Sequence, residues 1–149
     1  MVRIFISMDG IIRTGVSFYC HDGAGKYVIS KRSKNARDEQ ETWENGGGGL
    51  KFGEKVEDGL RREIKEEYCA TPLAVEFIGY RDILREQEGV QTHWIMFDFK
   101  VHVDPGQVKI GEPHKCDGVR WVTLAELEAF EEPLHKHFEL SFDKYRDIL

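Results

Sequence analysis

The chain has 149 residues and a formal net charge of −6, from 27 acidic and 21 basic side chains. That length suits one domain, residues 1–149, and the acidic balance argues against a general nucleic-acid binder, which shows a basic excess. With 40% apolar and 32% charged residues the composition is globular rather than disordered, and no apolar run approaches the roughly 18 residues of a membrane span. The opening MVRIFISMDGIIRTG lacks the long apolar core and small-residue cleavage site of a signal peptide. Cys20, Cys69 and Cys116 are too few and too scattered for a disulfide framework or a zinc site. The expected setting is therefore a reducing cytoplasm.

In chain order, Val16 to Cys20 and Tyr27 to Lys31 are predicted strands, joined by a turn at His21-Asp22-Gly23-Ala24-Gly25. Glu57 to Tyr68 is a predicted helix, with Pro72 just beyond it. Val75 to Tyr80 is a further strand. From His93 to Val103, Ile95, Phe97, Phe99 and Val101 alternate with Trp94, Met96, Asp98 and Lys100, the period-two pattern of a half-buried strand. Val119 to Val122 is short and extended. Thr123-Leu124-Ala125-Glu126 is a capping box opening a second helix. Pro133 to Ile148 carries Leu134, Phe138 and Phe142 at four-residue spacing and predicts a last helix. This order implies an α/β fold with a mixed sheet covered on its faces.

The chemistry concentrates in the first helix. At about 100° per residue, Glu66 falls near −60° and Glu67 near +40° from Glu63, so three carboxylates share one narrow face. Leu60 and Ile64 form a flanking apolar row. A solvated charged face is the ordinary meaning of such a run, but the pairing speaks against it. Arg62 has Asp58 and Glu66 four residues away on either side, whereas Glu63 and Glu67 have no base at three or four residues and face each other. Like charges so placed cost a few tenths of a kcal/mol. A hard divalent cation reverses that cost, because Mg²⁺ takes one or two carboxylates together with substrate phosphates. The same repulsion raises a carboxyl pKa, which suits a general base. Ahead of the helix, Gly46 to Gly49 lets backbone approach a ligand closely.

Gly48 is followed after five residues by Glu54, and after seven more by Arg62-Glu63-Ile64-Lys65-Glu66-Glu67, then Tyr68-Cys69-Ala70. This resembles the box of the Nudix hydrolases, G-x5-E-x7-R-E-U-x-E-E-x-G-U, where U is aliphatic. Cys69 departs from the last glycine of the box, Gly46 stands where many members have proline, and Gly59 lies inside the helix at a cost of about 0.5–1 kcal/mol relative to alanine.

The resemblance implies a Nudix-type α/β/α sandwich and Mg²⁺-dependent hydrolysis, with Mn²⁺ as a substitute. By position, Glu66 and Glu67 are implied metal ligands, and Glu63 is a further ligand or the group that orients or deprotonates water. Arg62 holds a glutamate in place, and a backbone carbonyl of Gly47 or Gly48 completes the metal shell. Members often supply another acid from a later loop. Glu112, before the strand bearing Trp121, fits that place as in MutT-type nucleoside triphosphate pyrophosphohydrolases, with Glu86 and Glu88 as rivals.

Arg32 and Arg37, between the second strand and the box, are candidate phosphate-binding cations. Trp43, Trp94 and Trp121 are candidates for stacking a base or for core packing. The expected activity converts a nucleoside triphosphate, modified or not, to monophosphate and pyrophosphate. A Nudix hydrolase of coenzyme A or another nucleoside diphosphate derivative is the alternative, since Val28 to Ser33 followed by Arg37 echoes the leader of the coenzyme A enzymes. A non-catalytic nucleotide- or protein-binding module is the rival from another class, although no box glutamate is lost. The expected partner is a small nucleotide, without nucleic acid or membrane, and a homodimer stays open.

Overall fold

The structure is a computed structural model and describes residues 10–149; positions 1–9, which carry most of the opening segment weighed against a signal peptide, lie outside the described residues. The elements are β1 (Ile12–His21), β2 (Lys26–Arg32), β3 (Trp43–Glu44), β4 (Gly46–Gly49), α1 (Val56–Tyr68), β5 (Ala74–Gln87), β6 (Val90–His102), β7 (Cys116–Thr123), α2 (Leu124–Glu128) and α3 (Lys136–Tyr145). The strands form one mixed sheet ordered β3-β2-β1-β6-β5, with β4 also paired to β1 and β7 to β2. β1 runs parallel to β6 and antiparallel to β4, placing Val16 opposite Gly48 and Ser17 opposite Gly47.

Two apolar layers sandwich this sheet. On one face Val16, Phe18, Cys20, Phe99 and Val101 pack against Leu60, Ile64 and Tyr68 of α1. On the other, Tyr19, Tyr27, Ile29 and Val122 pack against Leu127 of α2 and Phe138, Phe142 and Tyr145 of α3. Alternating side chains of β1 therefore feed opposite layers, and the fold is the α/β sandwich expected. Among the described residues no helix is long and apolar enough to cross a membrane.

Four expectations change. Gly46–Gly49, placed in no predicted element, is a strand. The strand begun at Val75 runs on to Gln87 and returns as β6 through a two-residue turn, where Glu88 (φ +52°) and Gly89 (φ +78°) take the left-handed conformations of a tight hairpin. The last helix begins at Lys136 rather than Pro133, because Trp43 and Leu134 pair in a short bridge instead.

The fourth change concerns Asp98, which is fully buried rather than on a wet face of β6. Arg81 grips it from β5 through Nε and Nη2, each 2.8 Å from a carboxylate oxygen, and Tyr145 of α3 donates its hydroxyl at 2.6 Å. A bulge between Phe77 and Gly79 lets the α3 tyrosine in, since a Cβ on Gly79 would lie 2.7 Å from the Tyr145 oxygen. Removing one partner of such a buried pair strands the other's charge. Asp98→Ala should therefore destabilise the protein by about 3–5 kcal/mol, and a chemical denaturation midpoint indistinguishable from the parent's would refute the account.

Candidate functional site

The first helix buries Leu60 and Ile64 completely and leaves its glutamate face toward β4. Gly59 fits this docking, because a Cβ there would stand 2.3 Å from the Leu50 side chain. At the C-terminus Cys69 adopts φ +57° and its N–H closes on the carbonyl of Lys65 at 3.0 Å. The helix thus ends in the left-handed cap that glycine usually supplies, at some strain for cysteine. Two further end carbonyls are satisfied from a distance. The N–H groups of Lys109 and Gly111 donate to the carbonyls of Tyr68 and Glu67, at 3.1 and 3.0 Å. Gly111 sits so close to the helix that a Cβ would be 1.9 Å from the Glu66 carbonyl oxygen. This contact brings the loop bearing Glu112 to the glutamate face.

Arg62 ties the site together. Its Nε and Nη2 donate to the two oxygens of Glu54 at 2.7 and 3.1 Å, Nη1 donates to Glu63 at 2.7 Å and Glu66 at 3.2 Å, and Nη2 also reaches the carbonyl of Gly49 at 3.0 Å. Asp58, its expected partner one turn back, takes no part among these bonds. The guanidinium holds the Glu54 carboxyl down at a pKa of about 2, helped by the Lys51 N–H. Against Glu63, burial outweighs Arg62 and raises the pKa.

Glu67 differs from both. Desolvation pushes its pKa well up, the nearby charges of Glu44, Glu63 and Glu112 push the same way, and the Gly47 N–H opposes them. Glu44, which sequence reasoning passed over, is raised by burial although Arg32 donates to it at 3.0 Å. Its only sequence signal was its place two residues before the glycine run. Glu44, Glu63, Glu66, Glu67 and Glu112 line one cavity of about 500 Å³. Glu86 and Glu88 do not line it; both belong to the far end of the β5–β6 hairpin.

Among the described residues no three His, Cys, Asp or Glu side chains are gathered tightly enough to hold an ion as they stand. Glu63 and Glu66 turn to Arg62, and Glu112 to Lys115 at 3.1 Å. The donor set nevertheless fits Mg²⁺. It offers hard oxygen atoms with surplus negative charge, and Mg²⁺ needs only one or two carboxylates beside its waters. Gly48 keeps the place open, for a Cβ there would meet the Glu63 carboxyl carbon at 2.2 Å.

A second cavity, of about 340 Å³, lies on the other side of β4 and shares Gly47, Gly48 and Gly49 with the first. Arg32 and Arg37 line both. All three kinds of nitrogen of Arg32 are engaged, with the Asp38 carbonyl, the Asp38 carboxylate and Glu44; Arg37 is exposed and forms no ion pair among the described residues. Of the tryptophans, Trp94 lines the second cavity, Trp43 is buried beneath Arg120, and Trp121 packs against the α1-side core.

A family model described as NUDIX domain matches residues 12–142. Among solved structures, the chain is similar to a MutT NUDIX hydrolase from Burkholderia pseudomallei, at 22% identity and a TM-score of 0.76, over 89% of this chain and 97% of that one. It is also similar to the MutT protein from Methanosarcina mazei Go1, at 22% identity and a TM-score of 0.72, over 95% and 97% of the two chains. The NUDIX domain of Shewanella oneidensis NrtR, complexed with ADP ribose, matches at 15% identity and a TM-score of 0.69, over 93% and 87%. At these identities the structural likenesses show a shared fold.

Because Gly48 faces the Glu63 carboxylate, Gly48→Ala should displace that side chain and cost about 1–3 kcal/mol in chemical denaturation, the scale of overpacking. Gly49→Ala should cost less, since its Cβ would meet only Trp94 at 3.4 Å. Equal costs at the two positions would sink the packing argument.

Proposed function

The chain belongs to the Nudix hydrolase family, and from that premise we propose that it hydrolyses the pyrophosphate bond of a nucleoside triphosphate, modified or not, to monophosphate and pyrophosphate with Mg²⁺. The observation that carries the reading is Glu67, a carboxylate beside Glu44, Glu63 and Glu112 with no basic side chain bonded to it among the described residues. Such an arrangement is costly in a plain surface helix and favourable around a cation.

Glu66 and Glu67 would hold the ion, with Glu63, Glu112 and a carbonyl of Gly47 or Gly48 as further donors and Mn²⁺ as a substitute. When bound, the metal neutralises phosphate charge, polarises a phosphoryl oxygen and makes water more acidic. The chain's own groups supply the rest. Glu63 or Glu67, by its place in the box, would accept the proton of the attacking water at a carboxylate oxygen. Arg62 is a positioning residue, fixing Glu63 and Glu66 through one guanidinium. Glu44 adds charge beside Glu67, and Arg32 tethers it. Arg37 stands where the two cavities meet, suited to the phosphate chain. The bound ADP ribose of the Shewanella relative supports a small nucleotide derivative as ligand. We extend the proposal to one functional domain over residues 1–149, working in the cytoplasm without nucleic acid.

Glu67→Gln preserves shape and removes one charge. It should lower kcat at least about 10²-fold, the scale of lost transition-state electrostatics, while metal-free stability stays equal or rises. Arg61→Gln, whose parent side chain pairs only with Glu57 among the described residues, is the control and should leave both unchanged. Near-parental Mg²⁺-dependent turnover in Glu67→Gln, measured across nucleoside triphosphates, coenzyme A, ADP-ribose and dinucleoside polyphosphates, would falsify the assignment of this face. Glu112→Gln should cost about tenfold, the lower range for groups supporting a metal site; parental activity would remove it from the donor set.

A further inference from the structure

The wall of the carboxylate cavity holds one polar group that the hydrolytic reading does not use. Tyr68, the last residue of α1, is 1% exposed and lines that cavity together with Ser30, Glu44 and Glu67. Its ring packs edge-on against Phe18 of β1, with centroids 5.9 Å apart. Its hydroxyl is the one buried side-chain nitrogen or oxygen without a hydrogen-bond partner among the described residues. Around that oxygen lie Ser30 and the carboxylates of Glu67 and Glu44.

Packing does not account for the oxygen. Phenylalanine would keep the contact with Phe18 and nearly the same volume, without the cost of a buried hydroxyl that bonds to nothing. The neighbouring acceptors differ in what they can offer this donor. Glu44 already receives Arg32 at 3.0 Å. Glu67 receives the Gly47 N–H and no basic side chain among the described residues, although a carboxylate has about four lone-pair sites. Consecutive residues on a helix point about 100° apart, so Tyr68 and Glu67 can meet at their tips rather than along their stems. At its tip a carboxylate can turn toward a donor without moving the helix.

We infer that Tyr68 is a positioning residue of the carboxylate cavity: its hydroxyl donates to one oxygen of Glu67 and so presents the other to a divalent cation. The inference rests on the reading of this cavity as a metal site and adds to it a residue outside the glutamates, Arg62 and the glycine strand. An outer hydrogen bond of this kind fixes the orientation of a ligating carboxylate, and its loss weakens the hold on the ion.

The test is titration of the full chain with Mn²⁺, the free ion being followed by its electron paramagnetic resonance signal, alongside chemical denaturation without metal. Tyr68→Phe should weaken Mn²⁺ binding about tenfold or more, the scale for groups that orient metal ligands. Its denaturation midpoint should equal or exceed the parent's, because the oxygen it removes has no partner. Tyr19→Phe, which removes a hydroxyl bonded to Ser141 in the other apolar layer, should do the reverse: lower the midpoint and leave Mn²⁺ affinity unchanged. Parental Mn²⁺ affinity in Tyr68→Phe would overturn the inference and leave the metal site standing. A Tyr68→Phe midpoint well below the parent's, or an equal loss of affinity in Tyr19→Phe, would make the effect one of folding and overturn it too. A parent chain that binds no Mn²⁺ would sink the metal site and this inference together. Mn²⁺ binding that depends on Tyr68 in a chain that cleaves no nucleotide would remove the hydrolytic reading alone.

Discussion

The site depends on one guanidinium. Arg62 joins three pieces of chain: the last residue of β4 through the Gly49 carbonyl, the connecting loop through Glu54, and the glutamate face of α1 through Glu63 and Glu66. Arginine alone offers enough donors in one plane for this. Lysine would place a point charge where a fork is needed. With Arg62 in place, Glu63 can be buried beside Gly48 at tolerable cost, and Glu67 is left without a base of its own among the described residues. The charge surplus at Glu67 thus follows from where the arginine spends its bonds.

Much of this site was legible because it is local. The 100° arithmetic put Glu63, Glu66 and Glu67 on one face and Leu60 and Ile64 beside them, and the last two are fully buried. Cys69 was marked as standing where the box has its last glycine, and its φ is +57°, the left-handed region that glycine favours. What was not legible depends on pairing across the chain. Glu44 joins the cavity because Trp43-Glu44 pairs with Lys31 and Ser30 of β2, and no spacing along the sequence announces that. Glu112 was named as a candidate, but its position depends on hydrogen bonds from its loop to the last turn of α1. Asp98 was misjudged for a related reason. Alternation tells which residues share a face of β6, not that α3 covers the second face and brings Tyr145 with it.

Glycine is a poor strand former, and the glycine run fell in no predicted element. Its strand conformation has a steric explanation. Opposite Gly46 lies the Phe18 ring, 1.8 Å from where a Cβ would be; opposite Gly47 lies the Val16 carbonyl; opposite Gly48 lies the Glu63 carboxylate. Side chains at these positions would either open the core or evict the glutamate. The strand therefore accepts the conformational entropy cost of glycine in exchange for thinness.

Thinness has an electrostatic consequence. On one side of β4 the cavity is lined by glutamates, on the other by arginines, and the same three glycines belong to both walls. A partition one backbone thick keeps the opposed fields close together. Charge of this kind acts over roughly a Debye length of about 8–10 Å in physiological salt, so a bulkier partition would weaken the gradient between the two walls. Arg32 and Arg37 sit where the two fields meet. Asp38 and Glu44 occupy Arg32, which leaves Arg37 as the cation at that border with no ion pair among the described residues. The glycine strand, the weakest element of the sheet by propensity, is in this sense what sets an arginine-lined cavity beside the acid cluster of an acidic protein.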